Sequence, residues 1–336
     1  MLCVKVPKKE AEKAKMYLYE KKIFDESYRI AKDNEFIFFP VKNKFKSKYD
    51  FVNKKLDKSK IQKLTLKDAL KSKLSKKEIE HLKTSYDTIG GIAIIEVVPE
   101  LEKKEKLIAT TLLDINKNIT TVLKKAEHHS GVFRTQKLKW LTGKKTKETV
   151  YKENNIRLKL DVEKVYFSVR LSTERKRIAK QVKKGEDILV MFSGCAPYPV
   201  VLAKNTEAKE IVGVEINPVG HKYGLENLKL NKINNVKLYC GDVKKVVPKL
   251  EQKNFDRILM PLPKSAEDFL DVALKASKKG TTIHFYDFLH DDEFDKAKEK
   301  IKKACKNLGL KPKILRTVKC GQHSPHVFRI CLDFKV

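Results

Sequence analysis

The pattern of apolar and polar positions changes period along the chain, and the changes divide it into three regions. Near the N-terminus, "LCVKV" (residues 2–6) reads as a strand, and the lysine-rich stretch after it places Ala11, Ala14 and Leu18 on one face of a predicted helix. The runs "SYRIAK" and "EFIFFPV" read as two further strands around the turn signal "DNE", giving a βαββ unit over residues 1–45. The segment "KNKFKSKYDFVNKKLDKSK" has no clear period and reads as loop and linker. A second region is expected to hold a helix over 66–82, a strand "GIAIIEVV", a helix over 100–115 and a strand over 119–125. The loop "HHSGVFRTQK" and the short strands "LKWLTG", "ETVYKEN" and "IRLKLDVEKVYFS" follow, an α+β pattern. From about residue 170, strands "DILVMF", "EIVGVEI", "VKLYC", "FDRILM" and "TTIHFYDF" alternate with helical segments. That alternation predicts an α/β, doubly wound, Rossmann-like parallel sheet. Two closing runs, "KILRTVKC" and "HVFRICLDFKV", have no helix between them and predict a C-terminal antiparallel hairpin. The expected domains are 1–58, 59–165 and 166–336.

Ligands of open α/β sheets bind outside the C-terminal strand ends. The first strand is followed by "FSGCAPYP", the second ends at Glu215, and the third is followed by Asp242. An acid at the second strand end suits ribose hydroxyls, and one at the third could accept from an adenine amino group. The first loop has a single glycine, Gly194, where a pyrophosphate would require several. A nucleoside cofactor without phosphates, S-adenosylmethionine, fits this set. The alternative is that both acids are solvated loop residues. The fourth strand ends in "MPLPKS", where Pro261 and Pro263 end the ladder by removing its donors.

Composition adds a partner. The chain has 336 residues, 41% hydrophobic, with a formal net charge of +31. Such a field attracts polyanions, above all nucleic acid. Lysine enrichment across a whole proteome would give the same charge. Only nine of the 74 basic residues are arginine, so each arginine is the more informative. No apolar run reaches the eighteen or so residues of a membrane span. The N-terminus lacks a signal-peptide layout, and six scattered cysteines suit a reducing, cytoplasmic setting.

The runs "KVYFSVRLSTERKRIAK", "VFRTQKL", "VEINP" and "PLPKSAEDFL" resemble the archaeal tRNA guanosine-37 N1-methyltransferase family over essentially the whole chain. The resemblance implies a class I methyltransferase sheet, S-adenosylmethionine as cofactor, and a small N-terminal domain that holds tRNA. It implies that Arg134, Arg170 and Glu174 line the site, Glu174 as base and Arg134 as stabiliser of charge on guanine O6. Without it, Glu174 reads as an ion-pair partner of Arg170 or Arg177 across a helical turn. Phe192, Gly194, Glu215, Ile216, Asp242, Val243 and Pro261 are the expected cofactor contacts. Tyr166, Pro261, Leu262, Pro263 and Tyr286 are the expected contacts of the base.

The sequence departs from the family in three places: Val190 where an acid is frequent, Ala196 where a glycine is usual, and Pro261 where guanosine-modifying members show asparagine. Pro261 is similar to the wyosine-pathway branch, which methylates C7 of 4-demethylwyosine. The substrate expected first is therefore that tricycle at position 37, in tRNA-Phe, with N1 of guanosine as a second or sole target. A non-catalytic tRNA-binding protein on the same fold is the alternative from another class. Lys42, Phe45, Lys48 and Tyr49 are expected to meet phosphates, and His128 and His129 read as loop residues. Cys195 reads as a packing residue. Cys320, His323 and His326 are zinc-type ligands without a fourth, so "CGQHSPH" reads as a turn, and neither a metal nor an oligomer is expected.

Overall fold

The run Leu2–Pro7 pairs on both sides, antiparallel to Phe36–Pro40 and to Phe51–Asn53. Ala31–Lys32 adds a short edge strand. Helix Ala11–Glu20 buries the predicted face, Ala11, Ala14 and Leu18, in a core with Val4, Val6, Phe24, Phe39 and Val41. The Phe51–Asn53 strand lies in the stretch read as linker, because three residues among lysines are too few to show a period. Three of the residues expected to meet phosphate are engaged inside this unit. Glu10 receives Lys48 at 2.5 Å and the Tyr49 hydroxyl at 2.7 Å. Phe45 packs edge-on against Phe51.

This computed structural model describes residues 1–59, 64–127, 131–251 and 254–336. The chain divides into two units, Met1–Lys73 and Leu74–Val336. The helix expected over 66–82 is two short ones, Leu66–Leu70 and Lys76–His81. Ser75 and Glu78 form a capping box that starts a new helix there.

The second unit opens with a four-stranded sheet ordered Asp87–Ile89, Ile92–Ile95, Thr121–Lys125, Leu138–Gly143. Its only parallel pair flanks the crossover helix Glu105–Ile115. A hairpin, Glu148–Glu153 with Ile156–Asp161, follows.

The large sheet comprises β1 (Asp187–Met191), β2 (Glu210–Glu215), β3 (Val236–Cys240), β4 (Phe255–Met260), β5 (Ser277–His290), β6 (Lys313–Ser324) and β7 (Val327–Lys335). Their order is β3-β2-β1-β4-β5-β7-β6. The first five are parallel, and β7 and β6 are antiparallel, the predicted terminal hairpin. Strand order reverses between β1 and β4, which opens a crevice at their C-terminal ends. The flanking helices are α1 (Ser172–Ala179), α2 (Pro197–Asn205), α3 (Pro218–Asn231), α4 (Val243–Val246), α5 (Leu270–Lys275) and α6 (Asp295–Lys306).

Helix α3 carries an attachment that hydrophobic patterning does not reveal. Asn227 exchanges two hydrogen bonds with the Lys159 backbone, 2.7 and 3.0 Å, and Asn231 does the same with Arg157, 2.8 and 2.6 Å. One helical turn apart, these amides act as a strand edge for Ile156–Asp161. They hold the hairpin, and through it the 166–171 segment, against the sheet. No described helix is long and apolar enough to cross a membrane.

Candidate active site

Two cavities adjoin at the crevice between β1 and β4. The smaller, about 300 Å³, lies over the ends of β1, β2 and β4 and takes in Phe192, Gly194, Glu215, Ile216, Asp242, Val243 and Pro261. Every residue expected to touch the cofactor is thus in one place. The loop after β1 is wound tightly: Phe192, Gly194 and Ala196 all hold positive φ, at 60°, 56° and 65°. Ala196 bears this without glycine's freedom, at a cost of about 1 kcal/mol. The turn aims the Gly194 N–H at Glu215 Oε2, 2.5 Å away, and the Asn217 N–H meets Oε1 at 2.8 Å. Burial raises the Glu215 pKa above its ordinary value against those two bonds. Each carboxylate oxygen keeps a lone pair for a further donor. Asp242 caps α4 by accepting from Lys244 N at 2.8 Å. Ile216 and Val243 give this cavity apolar walls, and Phe192 packs edge-on against Phe269. Acids that accept from hydroxyls and apolar walls for a base are the partners an adenosyl group requires. Val190, the position of the missing acid, is fully buried inside the sheet.

The larger cavity, about 960 Å³, shares Arg134, Tyr166, Phe167, Ser168 and Leu262 with the smaller one. Arg134 sits at a left-handed φ of 51° and donates from Nη2 to the Lys264 carbonyl at 2.8 Å. Burial lowers its pKa below the usual guanidinium value. The bond ties the "VFR" loop to the segment after β4. Beside it, Val132 is 77% exposed and borders both cavities, and Phe133 is 44% exposed and borders the smaller. Arg170 pairs with Asp87 at 2.9 Å on the rim.

Glu174, Tyr286 and Pro263 differ from the sequence expectation: they lie behind the wall of these cavities. Glu174 is 4% exposed and gripped by Arg177, at 2.6 Å through Nε and 2.7 Å through Nη2. This is the helical-turn ion pair, and it leaves Arg170 to Asp87. The Tyr286 hydroxyl donates to Glu174 Oε1 at 2.7 Å, and the Tyr198 hydroxyl lies 2.9 Å from that of Tyr286. Since Tyr286 gives its proton to Glu174, Tyr198 is the donor in that second bond. Burial pushes the Glu174 pKa up, but Arg177 and Tyr286 outweigh it and hold the carboxyl below its ordinary value. Cys320, which bonds Glu174 directly, lines the larger cavity, and Tyr198, which reaches it through Tyr286, lines the smaller, so Glu174 stands one side chain behind the first and two behind the second. Pro263 is buried, its carbonyl accepting from Phe288 N at 3.1 Å.

The chain of polar groups continues inward. Arg177 also binds Asp333 at 2.6 Å, and Asp333 meets His284 Nδ1 at 2.6 Å. His284 Nε2 lies 2.8 Å from Arg257 Nη1, which pairs onward with Glu186. Arg257 can only donate, so Nε2 accepts and Nδ1 carries the proton to Asp333. Burial accordingly lowers the His284 pKa.

Two arginines at the site received no role from the sequence. Arg175, 1% exposed, pairs with Glu153 through two bonds of 2.5 and 2.7 Å and lines the smaller cavity. Arg329 lines the larger cavity, donates to the Tyr166 hydroxyl at 3.0 Å and lies over the Phe288 ring. Its buried Nε has no hydrogen-bond partner among the described residues. The scarcity of arginine was the signal that could have found both. Cys195 is fully buried, which pushes its thiol up to about 12, as a packing residue should be. His128 and His129 lie outside the described residues.

Residues 149–314 match the TRM5/TYW2 methyltransferase domain, 66–146 the TYW2 N-terminal domain, and 3–50 the tRNA methyltransferase 5 N-terminal domain. The chain is similar to tRNA (guanine(37)-N(1))-methyltransferase Trm5b of Pyrococcus abyssi, 36% identical over 100% of this chain and 99% of the relative. It is also similar to tRNA (guanine(37)-N(1))/4-demethylwyosine(37)-methyltransferase Taw22 of Nanoarchaeum equitans, 36% identical over 64% of this chain and 88% of the relative. Among solved structures, the complex of aTrm5 with tRNALeu matches with a TM-score of 0.73 at 30% identity, covering 100% of both chains.

Proposed function

The chain belongs to the TRM5/TYW2 methyltransferase family, and from that footing we propose that it methylates N1 of guanosine at position 37 of tRNA. The observation that carries the reading is the pair of adjoining cavities, one bearing the two strand-end acids and the other the arginines, merging at Arg134 and Tyr166. S-adenosylmethionine supplies an electrophilic methyl group. Glu215 would hold it by accepting from the ribose hydroxyls, Ile216 and Val243 by flanking the adenine, and Asp242 by accepting from the adenine amino group. The base enters the larger cavity after leaving the anticodon-loop stack, a cost of a few kcal/mol. Val132 and Phe133 offer that stack an apolar surface at the mouth. As the N1–C bond forms and the bond from the methyl carbon to sulfur breaks, the N1 proton passes to Glu174 by way of the Cys320 thiol that stands between it and the larger cavity, and Arg134 stabilises the electron density that moves onto O6. Glu174 receives the proton from one side chain behind the wall, where Arg177 keeps it ionised. Arg170 positions the base at the rim. Residues 1–58 hold the tRNA body in the cytoplasm, with 59–165 and 166–336 forming the middle and catalytic domains.

The sequence put C7 of 4-demethylwyosine first. The full-length similarity to a protein named for guanine-37 N1 methylation reverses that order. Pro261 favours the tricycle as a second substrate, because it lines the cavity with no amide and no N–H to offer guanine. Two tRNA transcripts, with guanosine or 4-demethylwyosine at position 37, are incubated with the protein and labelled donor and digested for nucleoside mass spectrometry. The expected product is 1-methylguanosine. Product only from the tricycle would overturn the order, and product from neither would overturn the function.

A further inference from the structure

Away from the methyl-transfer cavities, His290, Asp291 and His326 bring three ligand-type atoms to within 4.8 Å of one another on the surface. His290 is the last residue of β5, and His326 lies in the two-residue turn between β6 and β7. Thirty-five residues separate Asp291 from His326, yet the backbone fixes their approach. His290 stands opposite Val327 in the β5–β7 ladder, and Asp291 N donates to the His326 carbonyl at 2.9 Å. The meeting therefore does not depend on attraction between the side chains.

Each histidine nitrogen stands at a ligand-to-ligand distance from one oxygen of the Asp291 carboxylate. His290 Nδ1 lies 3.3 Å from Asp291 Oδ1, and His326 Nδ1 lies 3.4 Å from Oδ2 of the same carboxylate. Tetrahedral zinc with bonds of about 2.0–2.1 Å to nitrogen and oxygen has ligand-to-ligand edges of about 3.3–3.4 Å. Both separations are longer than a good N–H···O bond. Both histidines present the same nitrogen, and their rings are stacked at 5.5 Å. Asp292 Oδ1, 2.5 Å from His290 Nδ1, holds that imidazole by a hydrogen bond. A metal at Nδ1 displaces this bond and frees the Asp292 carboxylate as a fourth ligand.

We propose that His290, Asp291 and His326 bind a divalent transition metal, zinc by ligand type, and that the ion clips the β6–β7 turn to the end of β5. The metal takes no part in methyl transfer. It acts on the larger cavity, whose wall includes Phe288 of β5 and His323 near the end of β6. Those two rings lie 4.3 Å apart, and Arg329 covers Phe288. The clip fixes that wall. Among the described residues, Cys320, His323 and His326 form no such group. Only His326 of the "CGQHSPH" run is a ligand, and its partners come from β5, outside that motif.

The test is titration of the chelator-stripped full-length chain with zinc chloride by calorimetry, and with cobalt(II) by visible absorption. About one equivalent should bind, with the intense visible bands of tetrahedral cobalt. His326→Ala and Asp291→Asn should each weaken binding roughly tenfold or more, while His323→Ala and Cys320→Ser leave it unchanged. All four sites are tested in protein whose metal-free melting matches the parent. Absence of stoichiometric zinc binding by the parent overturns the proposal. So does undiminished binding by His326→Ala, or loss of binding in His323→Ala or Cys320→Ser.

Discussion

Glu174→Gln separates the two roles its surroundings allow. The substitution keeps the shape and removes the charge, so Arg177 loses a paired carboxylate but retains Asp333, at 2.6 and 3.1 Å. The Tyr286 hydroxyl, 2.7 Å from Oε1, still meets an amide oxygen in the right amide rotamer. The stability cost is therefore the loss of charge-assisted bonds, about 1.5–3 kcal/mol, and the protein stays folded at 25 °C. Loss of a general base lowers the chemical step by about 10²–10⁴-fold. The two effects appear in different assays: urea unfolding for the first, and rapid-quench single turnover at saturating donor and tRNA for the second. The pH dependence follows from the direction of the shift. A carboxyl held below its ordinary 4.5 is ionised throughout the neutral range. Titration of Glu174 therefore contributes no rising limb to the wild-type rate above pH 4.5. A chemical rate within about twofold of wild type would refute the assignment, since that falls well short of a general-base contribution. Glu174 would then be a structural acid of the Arg177 pair alone.

Arg177→Met leaves Glu174 and Asp333 buried without their shared cation, and should cost about 3–5 kcal/mol in urea unfolding at pH 7. Both carboxyls have folded pKa values below their ordinary ones. Their contribution is thus fully present above the unfolded carboxylate range of about 4, begins to fade there, and is lost as pH falls on through the lower folded values. The penalty should therefore be smaller at pH 4 than at pH 7; an equal penalty would contradict the linkage. Pro261→Asn should shift kcat/KM towards the guanosine-37 tRNA relative to the 4-demethylwyosine tRNA by about tenfold, the scale of one hydrogen bond gained at the base. An unchanged ratio would remove this position as the discriminator.

The doubly wound sheet and its terminal hairpin were legible because buried strands of this kind are nearly continuous apolar runs with helical spacing between them. The grouping of the strand-end acids at one cavity was legible for the same reason: topology alone places strand-end residues, so Glu215 and Asp242 could be brought together without any contact information. The short strands were not. Ala31–Lys32 and Phe51–Asn53 carry too few apolar positions to register a period. The Asn227 and Asn231 clamp was hidden because asparagine in a helix ordinarily reads as a solvated residue. Its meaning depends on the hairpin backbone lying alongside.

The arginines show where sequence reasoning stopped short. In a chain whose default cation is lysine, Arg134, Arg170, Arg175 and Arg329 line the two cavities. Arg177 and Arg257 hold the buried chain behind them, and Arg316 closes on Asp333 at 2.8 Å. That is seven of the nine. Where two or more planar hydrogen bonds are needed away from water, lysine's point charge does not substitute for the guanidinium fork. Rarity thus marked the arginines that gather around the two cavities, but it could not say which one faces a cavity and which holds a carboxylate behind it. Glu174 makes the point most sharply. Its pairing with Arg177 and its proposed proton transfer are compatible, because the contact that fixes the carboxylate is also the one that keeps it ionised and able to accept a proton.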